Sequence, residues 1–426
     1  MSDPDTYYRR TMTDRSTRPA LSGAAECDVA IIGGGLAGLT TALQLSRAGR
    51  NVAILESQTI GFGASGRNGG FVSAGYSTGN AEIARVVGEE GAQALYRLSM
   101  EGVEYVRDNI RDLGIDEALP QAGIMTVRRY DDGAGLKAHA EQMRRLYGVE
   151  FEFMDRDAVR AVLRSSRYFQ ALRNPTGFHI HPLNYLRALA REIERLGGSI
   201  YEGSAAISAD LSGAEKRVTT ASGEIKARHV VFATGGYTGK LSAKLQRAFL
   251  QIATYVMVTE EAPDLIATAI RTADAIGDYR RAGDYYRVVD DGRRLLWGGR
   301  ITTRPAPTEG LVRELRAEMV GTYPQLASLK TEIAWSGLMS YARHLMPQIG
   351  RLGPGTWYCT AFGGHGLNTT AIGGKVIAEA VLGESERYRL FERFGLSWAG
   401  GIAGLAVAQL TYWKLQAQDR WRERAA

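Results

Sequence analysis

Apolar residues recur in two rhythms along this chain. Val29 to Ile32 form an unbroken apolar run, Leu39, Ala42, Leu43 and Leu45 then repeat at helical spacing, and Asn51-Val-Ala-Ile-Leu-Glu56 is a second apolar run ending in an acid. That order predicts a βαβ unit with its strands parallel and buried. Helical spacing returns from Asn80 to Leu113 and in an amphipathic stretch from Leu183 to Leu196; strands are predicted from Gly123 to Arg128 and near Ile200, and a hairpin around Ser222-Gly223. His229-Val-Val-Phe-Ala-Thr-Gly-Gly236 reads as another apolar strand running into glycines. From Leu250 to Thr302 the pattern changes to aromatic-rich strands, with Tyr285-Tyr-Arg-Val-Val and Arg294-Leu-Leu-Trp joined by Asp291-Gly292 as a two-residue hairpin turn. Trp357 to Gly366 is again a strand ending in glycines, followed by a helix to about Leu382. Parallel-type and antiparallel-type segments alternate, so the chain is an α/β protein with two domains, each assembled from separated pieces.

The ends differ from this body. Residues 1–25 are polar with little periodicity and are expected to form a flexible or wrapping arm. Leu396 to Leu415 is apolar and Gly-rich, but its uninterrupted length is short for a bilayer span. It reads as the approach to a terminal helix packed on the body, ahead of membrane-surface contact as the alternative.

The glycine spacing inside the first unit carries chemistry. Gly33 permits a tight turn, Gly35 lets a pyrophosphate approach the helix N-terminus, and Gly38 allows close packing of helix on strand. Glu56 at the end of the second strand is placed to accept ribose hydroxyls and would repel a 2′-phosphate, which favours FAD or NAD over NADP.

Composition narrows the remaining classes. At 426 residues, 45% hydrophobic and 23% charged, the chain is an ordinary globular protein able to bury one large or two smaller cores. Its formal charge of +6 is spread along the sequence without a basic block interleaved with aromatics, so no nucleic-acid partner is expected. Cys27 and Cys359 give neither a disulfide framework nor a metal spacing, the six histidines are scattered, and no signal-peptide pattern is present. No metal is expected, and a cytoplasmic location is the default reading.

Further along, Gly61-Phe-Gly-Ala-Ser-Gly-Arg-Asn-Gly-Gly70, Ala233-Thr-Gly-Gly-Tyr237 and Phe362-Gly-Gly-His-Gly-Leu-Asn368 follow the opening unit in order. With these motifs the chain resembles the D-amino-acid oxidase (DAO) superfamily of FAD-dependent oxidoreductases. Within it, His181-Pro-Leu-Asn-Tyr185 and the Trp335 to Gly350 segment are most similar to the gamma-glutamylputrescine oxidase group. The resemblance implies a Rossmann-like FAD-binding domain (26–100, 175–248 and 335–395), an α+β substrate domain with a mainly antiparallel sheet (101–174 and 249–334), and a C-terminal helical extension (396–426). It implies cofactor contacts at Gly33, Gly35, Leu36, Ala37, Gly38, Glu56 and Ser57, at Ala64, Ser65, Arg67, Asn68 and Gly69, and at Ala206 (on a strand near the adenine), Thr234 and Gly235. Gly363, Gly364, His365, Gly366 and Leu367 would face the flavin pyrimidine.

The implied chemistry is oxidation of an amine C–N bond: hydride passes to flavin N5, the imine is hydrolysed to an aldehyde, and O2 or another acceptor takes the electrons, giving H2O2 in the case of oxygen. His365, Tyr255 and Tyr341 are candidates for catalytic roles, and Met339, Trp297, Arg300 and Arg343 for lining the substrate pocket. Relatives that oxidise glycine or sarcosine carry an Arg shortly after Trp-x-Gly, where this chain has Met339, and Met cannot bind a carboxylate. No Cys lies between Trp335 and Gly350, so FAD is expected to be non-covalent. His181 before Pro182 is expected to be structural. The alternatives are a dehydrogenase of N-alkyl or D-amino acids delivering electrons to quinone, and a non-catalytic FAD-binding partner subunit.

Overall fold

The computed structural model describes residues 4–280, 283–303 and 308–424. Positions 1–3 of the expected arm and 425–426 of the expected extension lie outside these. The described chain is built on two large sheets.

In the first, the strands run in the order Gln348–Gly353, Thr356–Thr360, Gly223–Phe232, Gly23–Ile32, Val52–Leu55 and Ser199–Tyr201. Gly23–Ile32 pairs in parallel with both Gly223–Phe232 and Val52–Leu55. Val29 to Ile32 and Val52 to Leu55 are buried throughout, because helices and loops cover both faces of this sheet. Helices Leu36–Arg47, Pro182–Arg195 and Leu367–Leu382 share one core on one of those faces. Leu36–Arg47 and Leu367–Leu382 cross at Gly374, where an added Cβ would stand 2.6 Å from the carbonyl oxygen of Ala37 and 2.8 Å from Cβ of Thr40.

The second sheet runs Thr331–Tyr341, Leu250–Thr259, Arg294–Thr302, Tyr285–Val289, Ala275–Asp278, Gln121–Val127, Ala171–His179 and Phe71–Val72. It is antiparallel apart from the parallel pair of Ala275–Asp278 with Gln121–Val127. The expected domain limits at 174/175 and 334/335 fall inside strands of this sheet, and Phe71–Val72 joins it from a segment assigned to the other domain. Apolar periodicity marks where strands are, not which sheet they join. The expected two-residue turn at Asp291-Gly292 is a four-residue loop, because Val289 pairs with Arg294. Asp290, Asp291 and Gly292 all take positive φ, at 53°, 54° and 83°, the left-handed region Asp tolerates better than most residues. The helix from Asn80 to Asp112 breaks its helical geometry at Gly88.

The arm wraps rather than hangs. Thr6 caps a short helix, Tyr7–Thr11, and Tyr8 is fully buried against the rings of His181 and Trp335, at 5.0 and 5.7 Å between centroids. Tyr7 donates from its hydroxyl to Asp290 Oδ1 at 2.6 Å, and Arg287 donates to the Tyr8 hydroxyl at 3.2 Å. His181 caps the helix Pro182–Arg195 by accepting the Asn184 N–H through Nδ1, and burial pushes its imidazole pKa down to about 3.

At the other end, helix Gly401–Arg424 lies on the second sheet through polar groups: the Ile301 N–H donates to the Tyr412 hydroxyl, the Thr303 N–H to Gln409 Oε1, and Glu423 pairs with Arg280. Among the described residues no helix is long and apolar enough to cross a membrane.

The Gly374 crossing generates a stability prediction. Gly374→Ala is expected to destabilise the protein by about 2 kcal/mol despite the better helix propensity of Ala, since overpacking a backbone contact cannot be relieved by a rotamer change. A guanidinium midpoint equal to or above that of the parent would refute this.

Candidate active site

A cavity of about 540 Å³ runs along the carboxyl ends of the parallel strands and under the second sheet. This is where open parallel sheets bind ligands, because the helices that follow the strands point their N-termini there. At one end stand Glu56, Ser57 and Ala206; in the middle Gly33, Gly35, Leu36, Ala37, Ser65 and Thr234; at the far end the loop Gly363 to Leu367 with Met339 and Tyr341.

Each glycine of the opening motif has its own geometric reason. A Cβ on Gly38 would lie 2.0 Å from the Gly33 carbonyl oxygen, and one on Gly33 would lie 2.5 Å from that of Ala233. Gly38 is therefore a packing residue that lets the helix approach the turn. Gly35 caps the helix Leu36–Arg47 without a side chain, so the first N–H groups of that helix are left to Ser65 Oγ, which takes the Leu36 N–H at 3.0 Å, and to whatever enters the cavity. Gly366 does the same for the helix Leu367–Leu382. Two uncapped helix N-termini facing one cavity suit a long ligand with negative charge in its middle and at one end.

Glu56 is held by backbone: Oε2 accepts the Gly34 N–H at 2.7 Å and Oε1 the Gln58 N–H at 2.8 Å, with the Ser57 hydroxyl at 3.2 Å. Burial raises its pKa, and those three donors act against the rise. A carboxylate offers about four acceptor positions, so capacity remains for a ribose hydroxyl. Ala206 lines the cavity from coil, two residues ahead of the strand Ser208–Asp210, rather than from a strand.

The Ala64 to Gly69 turn is fixed from within. Asn68 spends its side chain on the carbonyls of Ala64 and Ser65 and on the Gly70 N–H, and the Tyr285 ring occupies the space that a Cβ on Gly69 would need. Arg67 lies over the Phe62 ring at 4.4 Å and donates to the Ser336 carbonyl, while its own carbonyl accepts the Trp335 Nε1–H at 2.9 Å. On the strand side, the Gly235 carbonyl is tied down by the Thr360 hydroxyl, and Thr234 bonds Thr238.

At the far end the glycine loop is pinned by serines that the sequence reading did not single out. Ser77 Oγ accepts the N–H groups of Gly364 and His365, at 3.0 and 3.2 Å. His365 Nε2 lies 2.9 Å from the Ser73 carbonyl oxygen, which assigns that nitrogen as the protonated one in the neutral ring. Burial lowers its pKa below the ordinary 6.5. Tyr341 stands against the loop, its hydroxyl filling the place of a Cβ on Gly364, and burial pushes its pKa up to about 12. Strand alternation along Thr331–Tyr341 puts Met339 on the same wall, its sulfur 3.9 Å from that same Cβ position.

Tyr255, a catalytic candidate, and three expected pocket residues, Trp297, Arg300 and Arg343, lie elsewhere. Tyr255 and Trp297 belong to the core on the opposite side of the second sheet, where Trp297 stacks on Tyr286 at 4.2 Å. The cavity side of the same strands shows Thr254 and Tyr285, with the Tyr285 ring over the bare Gly298. Arg300 has φ of 56° beside a bulge at Thr254/Tyr255, which turns Gly299 and Ile301 to the cavity and Arg300 toward Glu318 and Glu314. Arg343 is exposed in the turn after Thr331–Tyr341. No group of three or more His, Cys, Asp or Glu able to hold a metal occurs among the described residues.

Known proteins resemble this chain over most of its length. Residues 28–380 match the family model described as DAO, FAD dependent oxidoreductase. Gamma-glutamylputrescine oxidoreductase of Escherichia coli (strain K12) is 33% identical over 387 residues, covering 90% of this chain and 90% of that protein. Probable oxidoreductase OrdL of Haemophilus influenzae is 29% identical over 91% of this chain and 90% of its own length. The crystal structure of glycine oxidase from Geobacillus kaustophilus superposes with a TM-score of 0.75 at 20% identity, covering 87% of this chain and 98% of that one. L-proline dehydrogenase from P. horikoshii gives 0.72 at 20%, with 88% and 100% covered. Those two structural likenesses establish the fold.

The Glu56 geometry predicts its part in cofactor retention. Glu56→Ala removes the acceptor of two backbone N–H groups and is expected to weaken FAD binding about ten- to a hundred-fold. Flavin release measured by ultrafiltration checks this, and unchanged retention would count against the assignment.

Proposed function

Because the chain belongs to the DAO family of FAD-dependent oxidoreductases, we propose that it oxidises the C–N bond of an amine carrying no carboxylate at the reacting carbon. The product is an imine that water hydrolyses to an aldehyde, and dioxygen takes the electrons as H2O2. A substrate of the kind named for the Escherichia coli relative, an N-acylated diamine, fits this description. The observation that carries the reading is the charge of the cavity wall. Among the described residues, the charged side chains lining it are Glu56, at the ribose end, and Arg67, engaged with Phe62 and Ser336. Thr254, Tyr285, Met339 and Tyr341 present no cation where an α-carboxylate would need one.

Bound non-covalently, FAD supplies the two-electron acceptor. The chain's own residues supply position and environment. Glu56 and Ser57 would hold the ribose, the N-terminus of helix Leu36–Arg47 with Ser65 the pyrophosphate, and the N-terminus of helix Leu367–Leu382 would favour negative charge at the other end of the cavity. Tyr285, Tyr341 and Met339 exclude water, which disfavours the ammonium and leaves the amine neutral, the form that can give up hydride. His365, neutral and bonded to Ser73, positions the glycine loop and moves no proton.

Anaerobic titration with diamines, N-acyl diamines and α-amino acids, followed at the flavin absorption bands, tests this reading. Bleaching by the first two classes and peroxide formation on admitting air are expected; a reduced flavin that persists in air would instead identify a dehydrogenase. Met339→Arg is expected to shift the ratio of kcat/KM values toward α-amino acids by about ten-fold or more, and an unchanged ratio would remove the carboxylate argument. The pH profile is a separate check. With the His365 pKa below 6.5, the rise of kcat/KM with pH above that value belongs to the substrate ammonium, and it stays in place in His365→Gln. A limb that follows the histidine would overturn the positioning role.

A further inference from the structure

We propose that the outward face of helix Gly401–Arg424 docks on the surface of an anionic lipid bilayer, with the helix lying in the headgroup plane. The helix is inverted with respect to its own chemistry. Its inward side is held by polar groups, Gln409, Tyr412 and Glu423 bonded to Thr303, Ile301 and Arg280, with Asp419 buried and Leu405 and Leu415 half-buried beside them. Its outward side carries Ile402, Ala406, Leu410, Trp413, Ala417 and Trp421, one stripe at intervals of three and four residues. Ile402, Leu410 and Trp421 are 89%, 61% and 72% exposed, and Val407 beside them is 62% exposed. The polar bonds fix the roll of the helix, so the stripe cannot turn inward without breaking them.

Charge selects the occupant. The two acids of the helix, Asp419 and Glu423, both face the body, whereas Lys414, Arg420 and Arg422 are exposed. The Ala399 N–H donates to the Arg247 carbonyl, which brings exposed Lys244 and Arg247 to the start of the same helix. An apolar stripe with Trp398 and Trp421 at its ends and cations alone along its border matches headgroup, acyl boundary and anionic lipid together. A second copy of this chain would bring no carboxylate on that face to meet these cations. The helix cannot cross the bilayer, which leaves the orientation in the plane. Because the Tyr412 hydroxyl bonds Ile301, which lines the cavity, docking would hold that wall of the active site beside the membrane.

The test is co-sedimentation of the flavin-loaded full chain with phosphatidylcholine vesicles, with and without phosphatidylglycerol. Binding is expected to the anionic vesicles, weaker to the neutral ones, and to fall as salt is raised. Lys414→Gln with Arg420→Gln and Arg422→Gln should weaken it on the order of a hundred-fold, and Ile402→Glu with Leu410→Glu should abolish it. All five positions are exposed, and an unchanged flavin spectrum verifies the fold. Failure of the parent to sediment with either vesicle, equal binding by the variants, or a lipid-independent dimer that Ile402→Glu with Leu410→Glu dissociates would overturn the proposal.

Discussion

Everything functional in this protein depends on one backbone contact, the approach of Gly38 to the carbonyl of Gly33. Any side chain at Gly38 would push the helix off the turn, and with it the row of N–H groups that the helix start aims into the cavity. The parallel pairing of Gly23–Ile32 with its two neighbours sets where that turn lies. Glu56 then follows from register, since Leu55 pairs with Ile32 and the next residue reaches the same edge. A few ångströms of close packing thus decide the placement of both an anion site and the carboxylate beyond it.

The second sheet solves a different problem. It must bring uncharged, bulky groups over the glycine loop while keeping its own charged residues away. The bulge at Thr254/Tyr255 and the left-handed backbone of Arg300 do this by changing which residues face the cavity partway along two strands. Beneath, Arg300 joins a buried cluster in which Arg129 pairs with Asp278 and Glu318, and Arg280 with Asp284. Burial and the neighbouring Glu318 carboxylate push the Asp284 pKa up to about 7. None of these clustered side chains lines the cavity above.

What was legible in the sequence was what is local. The glycines at 33, 35 and 38 and Glu56 belong to one βαβ unit whose spacing is legible, whereas the loop from Gly363 to Leu367 was expected from the family resemblance. Tyr255 and Trp297 face the core opposite the cavity, because the face an aromatic residue takes is set by pairing with distant strands, which residue type alone does not report. Ser73 and Ser77 left no trace, since a backbone carbonyl and a hydroxyl that pin a loop about 290 residues away have no period or motif. At the C-terminal helix the composition was readable, but the direction of its faces depended on partners at Ile301, Thr303 and Arg280.

The arm has a consequence for the order of assembly. Tyr7 and Tyr8 close their contacts on Asp290, Arg287 and Trp335, partners made some three hundred residues later. At translation rates of roughly 5–20 residues per second, two aromatic rings therefore wait tens of seconds in the open before their berth exists. The nascent chain carries this aromatic segment unburied, and completion of the second sheet is the event that sequesters it.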